Sequence, residues 1–176
     1  FKTSFRHRTL GASSKSEDYA FIDLLDKPVA LWTNVLLEEG IHRNSLVHRE
    51  NVIEQYVMDL PDFNDKGAWA AKYANRLKNI SQQNENLNKV KKILAKLKLQ
   101  DSKNQYTIAI YEQVSALVEY NFELLKKIEA FDLAITADEE IKILLQLQEL
   151  TQKFGSFRQE FEKVYSQSRI LNKPEN

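Results

Sequence analysis

The sequence predicts an all-α fold, a long antiparallel three-helix bundle, and three observations support this prediction. Three stretches, about residues 66–98, 103–134 and 137–165, carry apolar residues at alternating steps of three and four. That spacing is typical of amphipathic helices. Short breaks built from Asp, Ser, Asn and Thr separate the stretches. The chain has only 4 glycines and 3 prolines, fewer than the turns of a β-sandwich or a Rossmann-like fold require.

The chain is expected to form an N-terminal arm and one domain. Residues 1–15 are basic and lack periodicity, so we predict an irregular arm there, followed by a single helical-bundle domain over residues 16–176. A first helix is predicted after Ser16. Pro28 then implies either a kink near Lys27 or two short helices, because proline disrupts a helix interior.

A further helix is predicted from about Arg43 or Ser45 to Asp59, since the residue before Pro61 disfavours the helical state. The helices within residues 17–60 would either extend the bundle to a fourth helix or pack across one end. We favour packing on the bundle, because the three long stripes alone cannot bury the apolar residues of this region.

The three long elements show the clearest stripes. The first carries Trp69, Tyr73, Leu77, Ile80, Asn84, Leu87, Val90 or Lys91, Leu94 and Leu97. The second carries Tyr106, Ile110, Val114, Leu117, Asn121, Leu124, Ile128 and Phe131, with Tyr111, Val118 and Leu125 as an added row. The third has an expected inner face of Ile141, Leu144, Leu145, Gln148, Phe154, Phe157, Phe161, Val164 and Tyr165. Stripes of this width predict an intramolecular bundle more than a self-associating rod.

The ends of the long elements set their arrangement. Thr136 with Glu139 three residues later predicts a capping box at the start of the third element. Elements of about 30 residues are about 45 Å long. The expected connectors, residues 100–104 and 135–137, are short, and short loops make neighbouring helices antiparallel.

Composition excludes several classes of function. Lys plus Arg and Asp plus Glu both number 25, so no general attraction to nucleic acid or to an anionic membrane is expected. The absence of cysteine excludes disulfides and thiolate catalysis. The sequence contains no run of 18 apolar residues, so no membrane span is predicted. The chain begins at Phe1 and its only methionine is Met58, so we expect a fragment or a processed form.

No constellation of residues predicts catalysis, a metal site or a cofactor site. His42 and His48 are six residues apart, which is not the same-face spacing of a helical metal pair. The acidic neighbours at 17–18 and 138–140 fall in first helical turns, where the helix dipole explains them. Those at 38–39 fit a solvated face. Phosphate-binding glycine motifs are absent.

Other clusters have structural interpretations that we prefer. The basic run over residues 89–98 is more typical of a solvated helix face than of a nucleic-acid patch. Trp69 and Tyr73 lie on the first stripe, so core packing is favoured over a sugar-stacking platform. Asn84 and Asn121 occupy inner positions of adjacent helices, where two asparagines can pair and fix the register. A polar ligand pocket is the alternative.

Three segments resemble a known family: ALWTNVLLEEGIHRNSLVHRENVIEQYV (30–57), LPDFNDKGAWAAKYANRL (60–77) and SRILNKPEN (168–176). They are similar to the helical region after the catalytic barrel in large Bacteroidetes-type glycoside hydrolases, particularly family 20 β-N-acetylhexosaminidases. The resemblance implies a periplasmic or extracellular glycan-degrading enzyme in which this piece is accessory. The family's catalytic Asp-Glu pair ends a barrel strand, so it does not carry over to Asp138-Glu139, which lies in a predicted helix cap.

The sequence therefore predicts a non-catalytic accessory domain that packs against a neighbouring domain of the same polypeptide or another subunit. The alternative is a free-standing helical interaction module or extracytoplasmic sensor. An enzyme built on the bundle is a weaker alternative, because the Glu-x-x-His pairs of di-iron bundles are absent. The accessory hypothesis predicts an uncovered apolar patch along residues 17–60, and the sensor hypothesis predicts a polar cavity near Asn84 or Asn121.

Overall fold

The structure is a computed structural model that describes residues 20–38, 60–100 and 105–167. Every regular element in these ranges is a helix, and the helices pack against one another, which confirms the predicted all-α bundle. In chain order they are α1 (Ala20–Glu38), α2 (Ala68–Lys72), α3 (Ala74–Leu77), α4 (Ile80–Gln100), α5 (Gln105–Asp132) and α6 (Ala137–Ser166). The predicted arm and the predicted helix over 43–59 lie outside the described residues.

The first helix is continuous across Pro28. The sequence left open a kink near Lys27 or two short helices. The second possibility is excluded, because Pro28 lies inside the single helix α1. The proline is among the fully buried side chains, so burial of its ring offsets the backbone hydrogen bond that a proline removes. Phe21 and Leu25 are buried with it, at 1% and 4% exposure. This part of the chain therefore belongs to the core.

The first predicted long element is interrupted, which the sequence did not predict. Residue Tyr73 separates α2 from α3 with a non-helical backbone, at φ −103° and ψ 13°, and two further residues separate α3 from α4. Trp69, Tyr73, Leu77 and Ile80 are nevertheless all buried. The apolar period continues through the breaks, so periodicity alone could not reveal them.

Helices α4 and α5 run antiparallel, as expected. Lys98 pairs with Glu112 at 2.8 Å and Lys91 pairs with Glu119 at 2.7 Å, so residue numbers rise on one helix as they fall on the other. Helix α1 packs against both α4 and α5, and the rings of Phe21 and Tyr111 meet edge to face at 5.0 Å. The N-terminal helix is thus a fourth long member of the bundle.

The main core lies between α1, α4 and α5, with α2 and α3 closing one part of it. Its buried residues are Phe21, Leu25, Trp69, Tyr73, Leu77, Ile80, Leu87, Val90, Leu94, Leu97, Ile108, Val118, Phe122 and Leu125. None of them belongs to α6. The last helix, α6, packs mainly on α5. The two helices run antiparallel, because Lys153 contacts Glu123 and Lys127 contacts Gln146.

The inner face of α6 differs from the prediction in its first half. Ile141, Leu144 and Leu145 are exposed at 56%, 47% and 57%, and Gln148 is exposed too. The buried or half-buried aliphatic residues in this half are Ile143, Leu147 and Leu150. They continue the three-four spacing of Phe154, Phe157 and Phe161 towards the N-terminus, so packing on α5 selects this row.

Candidate functional site

One side of α6 presents a continuous uncharged surface to solvent. We call it the outer face, and it consists of Ile141, Leu144, Leu145, Gln148 and Gln152. At about 100° per residue these positions lie opposite the row that packs on α5. Exposed leucines scattered singly need no explanation. Three large aliphatic side chains side by side form an exposed apolar patch, which makes this face a candidate binding surface.

The apolar surface continues around the start of α6. Leu133 and Ile135, in the loop between α5 and α6, are 55% and 92% exposed. The loop is therefore not a purely polar connector. Together with the outer face, it places five exposed aliphatic side chains at one end of the bundle.

The capping box predicted at Thr136 is present and holds this loop in place. The Glu139 amide donates to Thr136 Oγ1 at 3.3 Å, and Glu139 Oε2 accepts from the Thr136 and Ile135 amides at 3.1 Å. These hydrogen bonds, from the Ile135 and Thr136 backbones first and the Thr136 side chain second, lower the pKa of Glu139 below its ordinary value. The exposed Ile135 thus sits on an ordered helix start.

A lysine joins the same loop to the segment before α2. Lys66 Nζ pairs with Glu140 at 2.6 Å and lies 4.7 Å from the centre of the Phe131 ring. The Phe131 ring in turn meets Phe63 edge to face at 5.5 Å. These contacts tie together three parts of the chain at the end that carries the exposed aliphatic residues.

Asp132 is a buried residue that connects the end of α5 to α2. The sequence did not predict this role. Its side chain is 0% exposed, and Oδ2 accepts from the Ala70 amide at 2.8 Å. Its carbonyl accepts from the Gly67 amide at 3.2 Å. An acidic residue in the last turn of a helix opposes the helix dipole, and this local anomaly was the signal that could have identified it.

Aromatic side chains line the seam between α5 and the second half of α6. Ring centres of Tyr120, Phe154, Phe157, Phe161 and Tyr165 follow one another at 5.2, 6.1, 6.4 and 5.8 Å. Phe154 and Phe161 remain 41% and 37% exposed. Because each ring contacts the next, the row is packing within the chain. Trp69 and Tyr73 are core residues, as predicted.

The two asparagines do not pair as predicted. The side-chain amide of Asn121 donates through Nδ2 to the Leu117 carbonyl at 2.8 Å, one turn earlier on the same helix. Asn84 instead lines an open polar groove between α4, α5 and α6, whose lining includes Lys126 and Lys153. Both lysines already contact carboxylates, Glu129 at 2.7 Å and Glu123 at 3.2 Å. The groove is therefore polar, as the sensor hypothesis requires, but its lysines are already engaged, since the third, Lys127, donates to Gln146 Oε1.

Several of the remaining candidates that fall within the described residues have structural partners. In the acidic cluster at the start of α6, Glu139 caps the helix and Glu140 pairs with Lys66. Two lysines of the basic run pair with glutamates of α5. No group of three His, Asp or Glu side chains that could hold a metal occurs in the described residues. All three histidines lie outside them.

Within the described ranges, no helix is both long and apolar enough to cross a membrane. Comparisons with protein-family profiles, with curated proteins and with solved structures found no match to this chain.

Proposed function

We propose that the chain is a non-catalytic helical domain that packs against a neighbouring domain or subunit through the outer face of α6. The observation that carries the proposal is the exposure of Ile141, Leu144 and Leu145, between 47% and 57%, on a helix whose other side is already packed. Helix α6 is thus apolar on two sides, and one of them has no cover from the described residues.

The rigidity of this end of the bundle supports the same proposal. A surface that is ordered before binding loses less conformational entropy on association. The capping box at Thr136 and the contacts of Lys66 hold the loop and the start of α6. The accessory hypothesis expects its uncovered patch along residues 17–60, and most of these side chains lie outside the described residues. Of those described, Phe21 and Leu25 are buried and Leu60 is 76% exposed. Among the described helices, α6 is the one that exposes three large aliphatic side chains on one face.

The nature of the parent protein is the more specific part of the proposal. A secreted glycan-degrading hydrolase is suggested by the resemblance of residues 30–57, 60–77 and 168–176 to the helical regions of such enzymes. In that setting the domain would act mechanically, by presenting the outer face to the barrel domain or to another subunit. A free-standing interaction or sensor module is the alternative, and the polar groove beside Asn84 is the observation that favours it.

Thiol labelling can test whether the outer face is covered in the natural protein. The chain has no cysteine, so Leu145→Cys creates a single reactive site on that face. We expect this thiol to react at least about tenfold more slowly in the natural polypeptide that carries this chain than in the isolated chain at submicromolar concentration. The reason is that packing excludes the reagent.

Ser81→Cys provides the matched control, because Ser81 is exposed on a different helix, α4, and is not part of the outer face. Its labelling rate should be the same in both proteins. If Leu145→Cys reacts equally fast in both, the outer face is open in the natural protein and the proposal is wrong. Protection that persists at every protein concentration identifies a neighbouring domain, whereas protection that grows with concentration identifies a subunit.

A further inference from the structure

We propose that the subunit is a second copy of this chain, whose α6 packs antiparallel on the outer face about a twofold axis near residues 146–147. The inference rests on the proposed function and names the partner. Its basis is the order of charges and side-chain sizes along α6, which is complementary to itself when the helix is reversed. A twofold interface requires that property, because the same surface must fit on both sides.

The outer face has the spacing of a helix-pairing seam. Ile141, Leu145, Gln148 and Gln152 follow one another at steps of four, three and four, which is the a/d spacing of a coiled coil. In an antiparallel pair centred near residues 146–147, Ile141 faces Gln152 of the second copy and Leu145 faces Gln148. Gln148 and Gln152 lie on the seam itself, so the methylene groups of each glutamine cover an aliphatic side chain of the second copy while its amide extends out of the seam towards solvent.

The charges that flank this seam select the antiparallel register. Lys142 and Glu149 lie seven residues apart on the same edge, and both are exposed. Reversal about the axis places Lys142 beside Glu149 of the second copy, and Glu149 beside Lys142, which gives two equivalent pairs. Within the described ranges neither residue forms an ion pair in its own chain.

A competing register shows why these charges matter. Shifting one helix by a heptad brings Ile141 and Leu145 of the two copies together, but it also sets Lys142 against Lys142. Both registers cover aliphatic surface, and flanking charges typically decide register and partner choice more than raw affinity. The register with two Lys142–Glu149 pairs also overlaps a longer part of the two helices.

Gly155 gives independent steric support for close approach at the far end of the seam. It is exposed in the interior of α6, and a Cβ added there would meet no atom within 4 Å. A glycine in a helix interior is unfavourable relative to alanine, and packing within the chain does not require it here. In the antiparallel pair it lies opposite Asp138, in the first turn of α6 of the second copy, where a residue without a side chain allows the two helices to approach closely.

Charge exchange tests the pair directly by sedimentation equilibrium. The wild-type chain should be a dimer at concentrations on the order of tens of micromolar, as for a small interface. Lys142→Glu and Glu149→Lys should each weaken dimerisation about tenfold, because two attractive pairs become repulsive. The double variant should recover wild-type association. An equal mixture of the two single variants should form a heterodimer more readily than either variant forms a homodimer.

Leu145→Asp is the apolar counterpart and should leave a folded monomer, with helicity checked by circular dichroism. A monomeric wild-type chain at hundreds of micromolar overturns the inference but leaves the thiol-protection test of the proposed function standing. A wild-type dimer that Leu145→Asp does not weaken uses another face, and the inference is wrong. A dimer that Leu145→Asp disrupts, while charge exchange changes nothing, overturns the antiparallel register.

Discussion

At the scale of single residues, the Asp132 carboxylate is the clearest tertiary tie in the structure. It ends α5 and accepts a hydrogen bond from the Ala70 amide at 2.8 Å while fully buried. Asp132→Ala should lower the free energy of unfolding by about 1–3 kcal/mol, because the half-buried Ala70 amide loses its acceptor. Urea denaturation measures this change.

Asp65→Asn is a suitable control, since Asp65 is exposed in the turn before α2 and surface substitutions usually change stability by less than about 0.5 kcal/mol. A variant Asp132→Ala as stable as the wild type would mean that desolvation of the carboxylate cancels its hydrogen bond. In that case Asp132 would not be a stabilising tie.

Glu139 links the start of α6 to pH. Its folded-state pKa is lowered by hydrogen bonds from Ile135 and Thr136, so it stabilises the fold above its unfolded-state pKa. That stabilisation is lost as the pH falls through the lowered folded-state pKa. Glu139→Ala should therefore be less stable than the wild type at pH 7, and the difference should shrink towards pH 3.

Chemical denaturation across this pH range measures the difference. Glu139→Gln separates the charge from the cap, because glutamine can also accept the hydrogen bonds of a capping box but does not titrate. Its stability relative to Glu139→Ala should stay constant with pH. If the wild type and Glu139→Ala change in parallel from pH 7 to pH 3, the cap does not depend on ionisation.

At the scale of elements, replacing glycine by alanine is expected to have opposite effects on stability at two positions. Gly155 lies within α6 with open space where a Cβ would be placed, so Gly155→Ala should stabilise the monomer by about 1 kcal/mol. Gly67 precedes α2 at φ 83°, a left-handed conformation that favours glycine. Gly67→Ala should destabilise by about 1–2 kcal/mol.

Thermal unfolding at submicromolar concentration measures both, since self-association is then negligible. The two variants are matched controls for each other, as both add one methyl group. Equal effects would show that conformation at these positions does not decide the outcome. Loss of dimerisation in Gly155→Ala at higher concentration would be a separate consequence of crowding the helix pair.

The phase of α6 shows where element-level prediction from sequence succeeds and fails. The existence of α5 and α6, their ends and the cap at Thr136 followed from periodicity and capping chemistry. Periodicity did not show which side of the first half of α6 packs on α5. Ile141, Leu144 and Leu145 form one apolar row, Ile143 and Leu147 belong to another, and either row could face the core. Because α6 is apolar on two sides, only its packing against α5 decides which side is buried.

At the scale of the whole molecule, the sequence predicted a bundle but not the position of its core. Long-range ties such as Asp132 to Ala70 have no local pattern, and the breaks around Tyr73 leave the apolar period intact. The outer face became recognisable as a candidate surface only when the structure placed the core between α1, α4 and α5. Sequence periodicity cannot distinguish an internal stripe from an uncovered one.

This arrangement predicts that α6 opens separately from the rest of the bundle. Leu150 and Val164 are its only buried residues, and its main partner is α5. Regions with few buried apolar contacts open at lower free energy than the core. Native-state hydrogen exchange should therefore give a lower opening free energy for the amides of α6 than for those of α4.

Two truncations distinguish separate opening from a merely frayed helix. Leu94→Ala, in the core of α4, should lower the opening free energy of α4 by about 2–5 kcal/mol. It should leave α6 unchanged, because Leu94 stays packed when α6 detaches. Leu150→Ala should lower both, since its contacts are lost in either opening. If Leu94→Ala lowers both helices equally, α6 opens only when the whole bundle unfolds.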